Sequence, residues 1–339
     1  MHAASRNPKK GGQSLVIILA IAFWAVVTLS AVGNRFFNTN STKARSAEVA
    51  DSSYSAFFPD PYAEGDTQKV SHMVHRRVWL GYGHEPYQIN FSVATPRVEA
   101  ARTFREHVRD IGPKNDFVQF LQSHGELYRD DPYRHYWTWI YQALLKHDRD
   151  QLPGFFAEFD SLFLVHRHDP GHFANLMVSF VQDIPYQLIH ENSCSAVVAE
   201  DTACQTFRCR YHQSGKPCKA EVRYGLQSPV EFMYDLAGDC DTRALLLQLM
   251  LYRYGIDSKI LISQHYAHAM IGVRLPAAGN KFVMVDGFKY YVWETTARHW
   301  QLGHMPPSHQ DILNWKVVHT PLDDAAVSPL LSSPNPPAS

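Results

Sequence analysis

The chain has 339 residues, 45% of them hydrophobic and 19% charged, with a net charge of −1. That is ample apolar material for a large core, and it excludes a wholly disordered chain. Near-neutral charge, with no long basic run in the body of the chain, excludes an electrostatic footprint for nucleic acid, so no nucleic-acid partner is expected.

Leu15 to Val32 carries no charge and follows Arg6, Lys9 and Lys10. A run near the ~18–20 residues needed to cross a bilayer predicts a transmembrane signal-anchor over 14–33. The basic residues before it predict a short cytoplasmic tail over 1–13. Ala31-Val32-Gly33 leaves a cleaved signal as the alternative. Either way the rest of the chain lies outside the cytoplasm. Residues 34–66, with their Ser, Thr, Asn and Ala, read as a linker.

Residues 67–172 predict an N-terminal strand pair and a helical extension. Val70–Trp79 and Tyr87–Val93 flank Gly81-Tyr82-Gly83, a turn signal. Pro96, Pro132, Pro153 and Pro170 then mark helix starts, where a missing N–H costs nothing. In the fourth helix Phe173, Leu176, Met177, Phe180, Val181 and Ile184 keep the spacing of a buried stripe. Ile184-Pro185 ends it. His166, His168 and His172 near its start read as solvated or capping groups rather than as metal ligands.

Cys194, Cys204, Cys209 and Cys218 crowd into one polar segment, while Cys240 stands apart. Four plus one suggests two disulfides and a free thiol, with three pairings open. Zinc, with His190 or His212, is the alternative, but no Cys-x-x-Cys pair is present. Ser228-Pro229-Val230-Glu231 is a capping box with proline at the first helical position. Gly238 permits a sharp turn, and Asp239 or Asp241 caps a second, apolar helix that begins at Cys240. A helix N-terminus favours a thiolate; the neighbouring carboxylates oppose it. After Gly255 a strand runs through Asp257–Ser263. A second starts at His268, with Ala269, Ile271, Val273 and Leu275 on one face. Phe282–Asp286 and Tyr290–Thr296 follow as further strands.

Gly-Asp-Cys-Asp-x-Arg-Ala-Leu-Leu-Leu, then Gly-Ile-Asp before a strand, then His-Ala-Met-Ile-Gly-Val, resembles the transglutaminase-like superfamily of cysteine enzymes. The resemblance covers roughly Phe173 to Gly303 and implies an α+β fold. That fold would be a papain-like transglutaminase core over 173–320, with a Cys-bearing helix packed on an antiparallel sheet. Residues 194–218 would form a Cys-rich insertion in it. A helical N-terminal extension and one N-terminal transmembrane helix complete the expected fold class, and 321–339 reads as a disordered tail.

By the same resemblance Cys240 is the nucleophile and His268 the general base. Two residues compete for the acid that orients the base. Glu294 is followed by two threonines, as the family's acid often is by a residue and a threonine. Asp286 has the usual residue type but sits in an Asp-Gly hairpin signal. The expected chemistry is acyl transfer through a Cys240 thioester. Water would make the protein a protease or amidase, an amine a crosslinker, and loss of activity a binding or assembly module. The expected partners are a protein or peptide substrate in the cell envelope and the membrane through the N-terminal helix. No cofactor and no metal are expected.

Overall fold

The structure, a computed structural model, describes residues 71–107, 130–196 and 204–318. The expected cytoplasmic tail, anchor, linker and C-terminal tail lie outside these residues.

Strands β1 (His72–Leu80) and β2 (Pro86–Ala94) form an antiparallel hairpin, in register from His72 opposite Ala94 to Leu80 opposite Pro86. Four helices follow: α1 (Thr95–Glu106), α2 (Pro132–Asp148), α3 (Pro153–His166) and α4 (Pro170–Asp183). Each carries proline in its first turn, where the ring fits the helical φ and the lost donor had no partner. Asp131 caps α2 by accepting from the Arg134 N–H at 3.2 Å, and Asp169 caps α4 from the His172 N–H at 2.9 Å. The aromatic stripes interlock. Trp79, Phe155, Phe159 and Phe180 are buried, and their rings meet at 4.9–6.4 Å.

The cysteine-rich segment contains β3 (Leu188–Ile189), α5 (Phe207–Gln213) and β4 (Cys218–Lys219), with β3 and β4 parallel. Cys194 is bonded to Cys218 and Cys204 to Cys209, so no thiolate is left there for zinc. Beyond it, α6 (Pro229–Asp235) leads into α7 (Cys240–Arg253). Then come β5 (Ser258–Ser263), β6 (His268–Val273), β7 (Phe282–Val285), β8 (Phe288–Trp293) and β9 (Lys316–Val318). They make one curled antiparallel sheet in the order β7-β8-β6-β5-β9. Both faces are covered. Ile260, Ile262, Ala269, Ile271 and Val273 join the main apolar cluster with α7. Leu261, Met270, Val292, Met305 and Trp315 form a second cluster behind the sheet.

This architecture corrects the expected fold class. The N-terminal part is no helical extension beside a separate core. The β1–β2 hairpin, α1 to α4, α7 and the sheet bury their apolar faces in one continuous cluster, giving a mixed helix-and-sheet fold. The physical reason is the width of the aromatic stripes on α2, α3 and α4, which need the hairpin and α7 to cover them. The membrane-spanning helix of the expected fold class is not found in the described structure. Among the described residues no helix is long and apolar enough to cross a membrane, and the apolar run at 14–33 is not among them.

Candidate active site

Cys240 sits at the first position of α7, buried and outside both disulfides. The turn that delivers it is built differently from the sequence reading. Leu236, not Gly238, takes the left-handed conformation that ends α6, with φ 47°. Gly238 is required by crowding: a Cβ there would lie 2.8 Å from the Phe232 ring. Gly238 also bridges to Tyr186, and its carbonyl accepts the Gln187 N–H at 3.2 Å. Asp239 is the cap of α7, accepting from the Thr242 N–H at 3.4 Å and the Thr242 hydroxyl at 2.9 Å.

One turn into α7, Arg243 is fully buried, and burial lowers its guanidinium to about 10. It donates to four backbone carbonyls: Val181 at 2.6 Å, Ile184 at 2.7 Å, Gly238 at 3.2 Å and Thr295 at 3.3 Å. Those carbonyls belong to the end of α4, the turn before the cysteine and the segment after β8. One side chain therefore ties together the segments that carry Cys240 and Glu294.

His268 opens β6, after Ala267 has turned the chain with φ 47°. Glu294 follows the last residue of β8, the strand hydrogen-bonded to β6. The pairing brings His268 Nε2 to 2.9 Å from Glu294 Oε2. Glu294 Oε1 accepts from the Thr295 N–H at 2.9 Å, the Thr296 N–H at 2.8 Å and the Thr296 hydroxyl at 2.7 Å. The Gln182 side chain fixes the Glu294 carbonyl at 2.6 Å. Burial alone would raise this carboxyl. The charge of His268 and the hydrogen bonds outweigh burial and hold it at about 2. Asp286 is elsewhere. It lies exposed at the β7–β8 hairpin tip, where Asp286 and Gly287 both have positive φ, as this tight turn demands. The structure thus brings Glu294, and not Asp286, to His268.

The Ala269 backbone, one residue beyond His268, hydrogen-bonds the Cys240 sulfur, which sets the start of β6 against the start of α7. Charge acts on the two groups in opposite ways. Burial pushes the Cys240 thiol well up, and Asp241 and Asp239 push it further; the Ala269 bond and Arg208 oppose them. For His268 burial lowers the pKa, but Glu294, Asp241 and Asp239 outweigh it and raise it above the ordinary value. Asp239 itself is raised to about 7 by burial and by the charge of Asp241. Nε2 of His268 is committed to Glu294, so Nδ1 is the nitrogen left to take a proton.

Sequence reasoning missed the cover over His268. The His309 ring stacks on it with centroids 5.2 Å apart, and Trp315 meets it edge-on at 6.0 Å. Trp315 Nε1 donates to the His309 carbonyl at 3.0 Å. These residues lie in an irregular stretch before β9, where no periodicity marks them. His268, Glu294 and His309 are also the one group among the described residues whose donor atoms are close enough to hold a metal ion.

No protein family, curated protein or solved structure matches this chain. The chemistry of the site therefore rests on its geometry. A buried thiol is hydrogen-bonded by the residue next to a histidine that a carboxylate orients, and a thiol and an imidazole brought together can move a proton from sulfur to nitrogen and return it to a leaving group.

Proposed function

We propose that this chain is a transglutaminase-like cysteine enzyme that transfers acyl groups through a thioester on Cys240, with water as the usual acceptor. His268 takes the thiol proton on Nδ1 as the sulfur attacks an amide carbonyl. Glu294 fixes the tautomer and stabilises the imidazolium that forms. Backbone N–H groups at the start of α7, including that of Cys240, face the oxyanion. The proton then passes from His268 to the leaving amine, and water releases the acid from the thioester. The observation that carries this reading is the 2.9 Å contact between His268 and Glu294, one residue from the Ala269 backbone that bonds the free cysteine at a helix start. The two disulfides are consistent with an oxidising location outside the cytoplasm, where proteins and peptides of the cell envelope would be the substrates.

One observation favours a second reading, that of a binding or assembly module. The sulfur is buried, and its surroundings raise the thiol pKa rather than lower it. Alkylation separates the two. Folded, disulfide-intact protein is treated with iodoacetamide from about pH 6 to about pH 9, and the adduct is mapped. The enzyme reading expects labelling of Cys240 that slows about tenfold or more in His268→Ala. An inert Cys240, or labelling indifferent to His268, favours the binding module. If the enzyme reading stands, comparing membrane-fraction proteins from wild type and a Cys240→Ala strain separates cleaved from crosslinked products.

A further inference from the structure

We propose that His268, Glu294 and His309 form a binding site for a divalent transition-metal ion such as Zn²⁺, and that the bound ion switches the cysteine centre off. The switching half rests on the function proposed above; the binding half does not.

One donor atom from each of the three residues lies within 4.8 Å of the other two. Two imidazoles and a carboxylate are a donor set that zinc takes in three-ligand sites, with a fourth position open. The ligands are held from outside, as metal ligands need to be. Three hydrogen bonds on Glu294 Oε1 leave Oε2 aimed at His268. His309 is fixed through its carbonyl by Trp315, with Tyr266 edge-on to its ring at 4.9 Å.

A second observation is independent of the cluster's shape. His309 Nδ1 is buried and, among the described residues, has no hydrogen-bond partner. Most buried polar atoms are bonded, and a bound ion is one of the explanations for an atom that is not, beside strain, a catalytic role or a water.

The spacing is workable. Two ligands at ~2.1 Å from a tetrahedral ion lie ~3.4 Å apart. His268 Nε2 and Glu294 Oε2, at 2.9 Å around a shared proton, are already near that spacing. Only His309 has to close the gap, by rotating out of its stack on His268. The ion displaces the proton on Nε2, which goes to solvent. A neutral imidazole bound to metal through Nε2 carries its remaining proton on Nδ1. That nitrogen then has no lone pair for the Cys240 proton, and the base is lost.

The test titrates chelator-treated, full-length protein with Zn²⁺ by calorimetry and follows Cys240 alkylation in parallel. One equivalent is expected to bind, at least tenfold more weakly in His309→Ala and in Glu294→Gln, and unchanged in Cys240→Ser. His309→Gln, with circular dichroism on every variant, guards against misfolding. Zn²⁺ should slow alkylation in the wild type, a chelator should restore it, and in His309→Ala the rate should not respond to the ion. Absence of stoichiometric binding, binding unaffected at His309, or binding lost in Cys240→Ser would overturn the site. If binding follows the three ligands while Cys240 is inert even without zinc, the metal site stands and the enzyme reading falls.

Discussion

Asp239 and Asp241 flank the sulfur of Cys240, and each makes a thiolate harder to form. On the proposed function the reactive state is therefore reached by proton transfer to His268, whose partner Glu294 stays charged down to about pH 2. Two substitutions follow. Glu294→Gln keeps the shape but removes the charge, and should cut the turnover or alkylation rate by about 10²–10⁴-fold. Asp286→Asn, at an exposed turn, should leave it within about twofold. The reverse ranking, read from the same rate assay, would move the acid to Asp286. Asp239 gives a pH prediction. Its folded pKa, about 7, is above the ordinary 3.8, so between those values the folded state holds the proton that the unfolded state has released. Stability on its account falls as pH rises through that window and is level above it. Asparagine can still accept from Thr242, so Asp239→Asn should keep the cap and gain stability relative to wild type only as pH climbs. Thermal midpoints at about pH 4 and about pH 8 check this, with a gain of a few degrees expected at the higher pH alone. A difference that does not vary with pH would exclude it.

At the scale of elements, α7 is placed by both its ends and by Arg243. A lysine there has three donors on one nitrogen and cannot serve carbonyls spread over three segments. Arg243→Lys should cost about 2–4 kcal/mol in chemical denaturation, because buried carbonyls lose their partners. It should also slow Cys240 labelling, since the α4 end, the cysteine turn and the Glu294 segment lose their common tie. Much of this part of the fold was legible in the sequence, because its signals are local. Prolines after Thr95, Asp131 and Asp169 marked helix starts, Asp286-Gly287 marked a hairpin, and the capping box at Ser228 marked α6. What was not legible depends on distant contacts. Nothing near Leu236 announces a left-handed residue, nor does the sequence show that Gly238 passes close over Phe232. His309 and Trp315 reach His268 only because β9 returns to pair with β5, a pairing no periodicity shows.

For the molecule as a whole, the cysteine-rich segment is where fold and site meet. The Tyr211 hydroxyl donates to the Tyr186 carbonyl at 3.0 Å, and the Phe207 and Tyr211 rings pack on the Tyr186 ring at 6.0 and 5.4 Å. Tyr186 in turn bridges to Gly238, two residues before Cys240. The two disulfides should not contribute equally. Cys194–Cys218 spans a sequence separation of 24 and Cys204–Cys209 one of 5. In the chain-entropy account the longer loop is worth about 3.4 kcal/mol and the shorter about 2 kcal/mol, because closing the longer one removes more freedom from the unfolded chain. The pair Cys194→Ser/Cys218→Ser should therefore lower unfolding free energy by the larger amount, measured in denaturant without reductant. It also removes the covalent tie at Cys218, the β4 residue that pairs with Leu188 of β3. Labelling of Cys240 should change with it, while Cys204→Ser/Cys209→Ser should cost less stability. If the short loop proves the costlier one to open, chain entropy is not what the cysteine-rich segment supplies, and its packing on Tyr186 must hold the start of α7 instead.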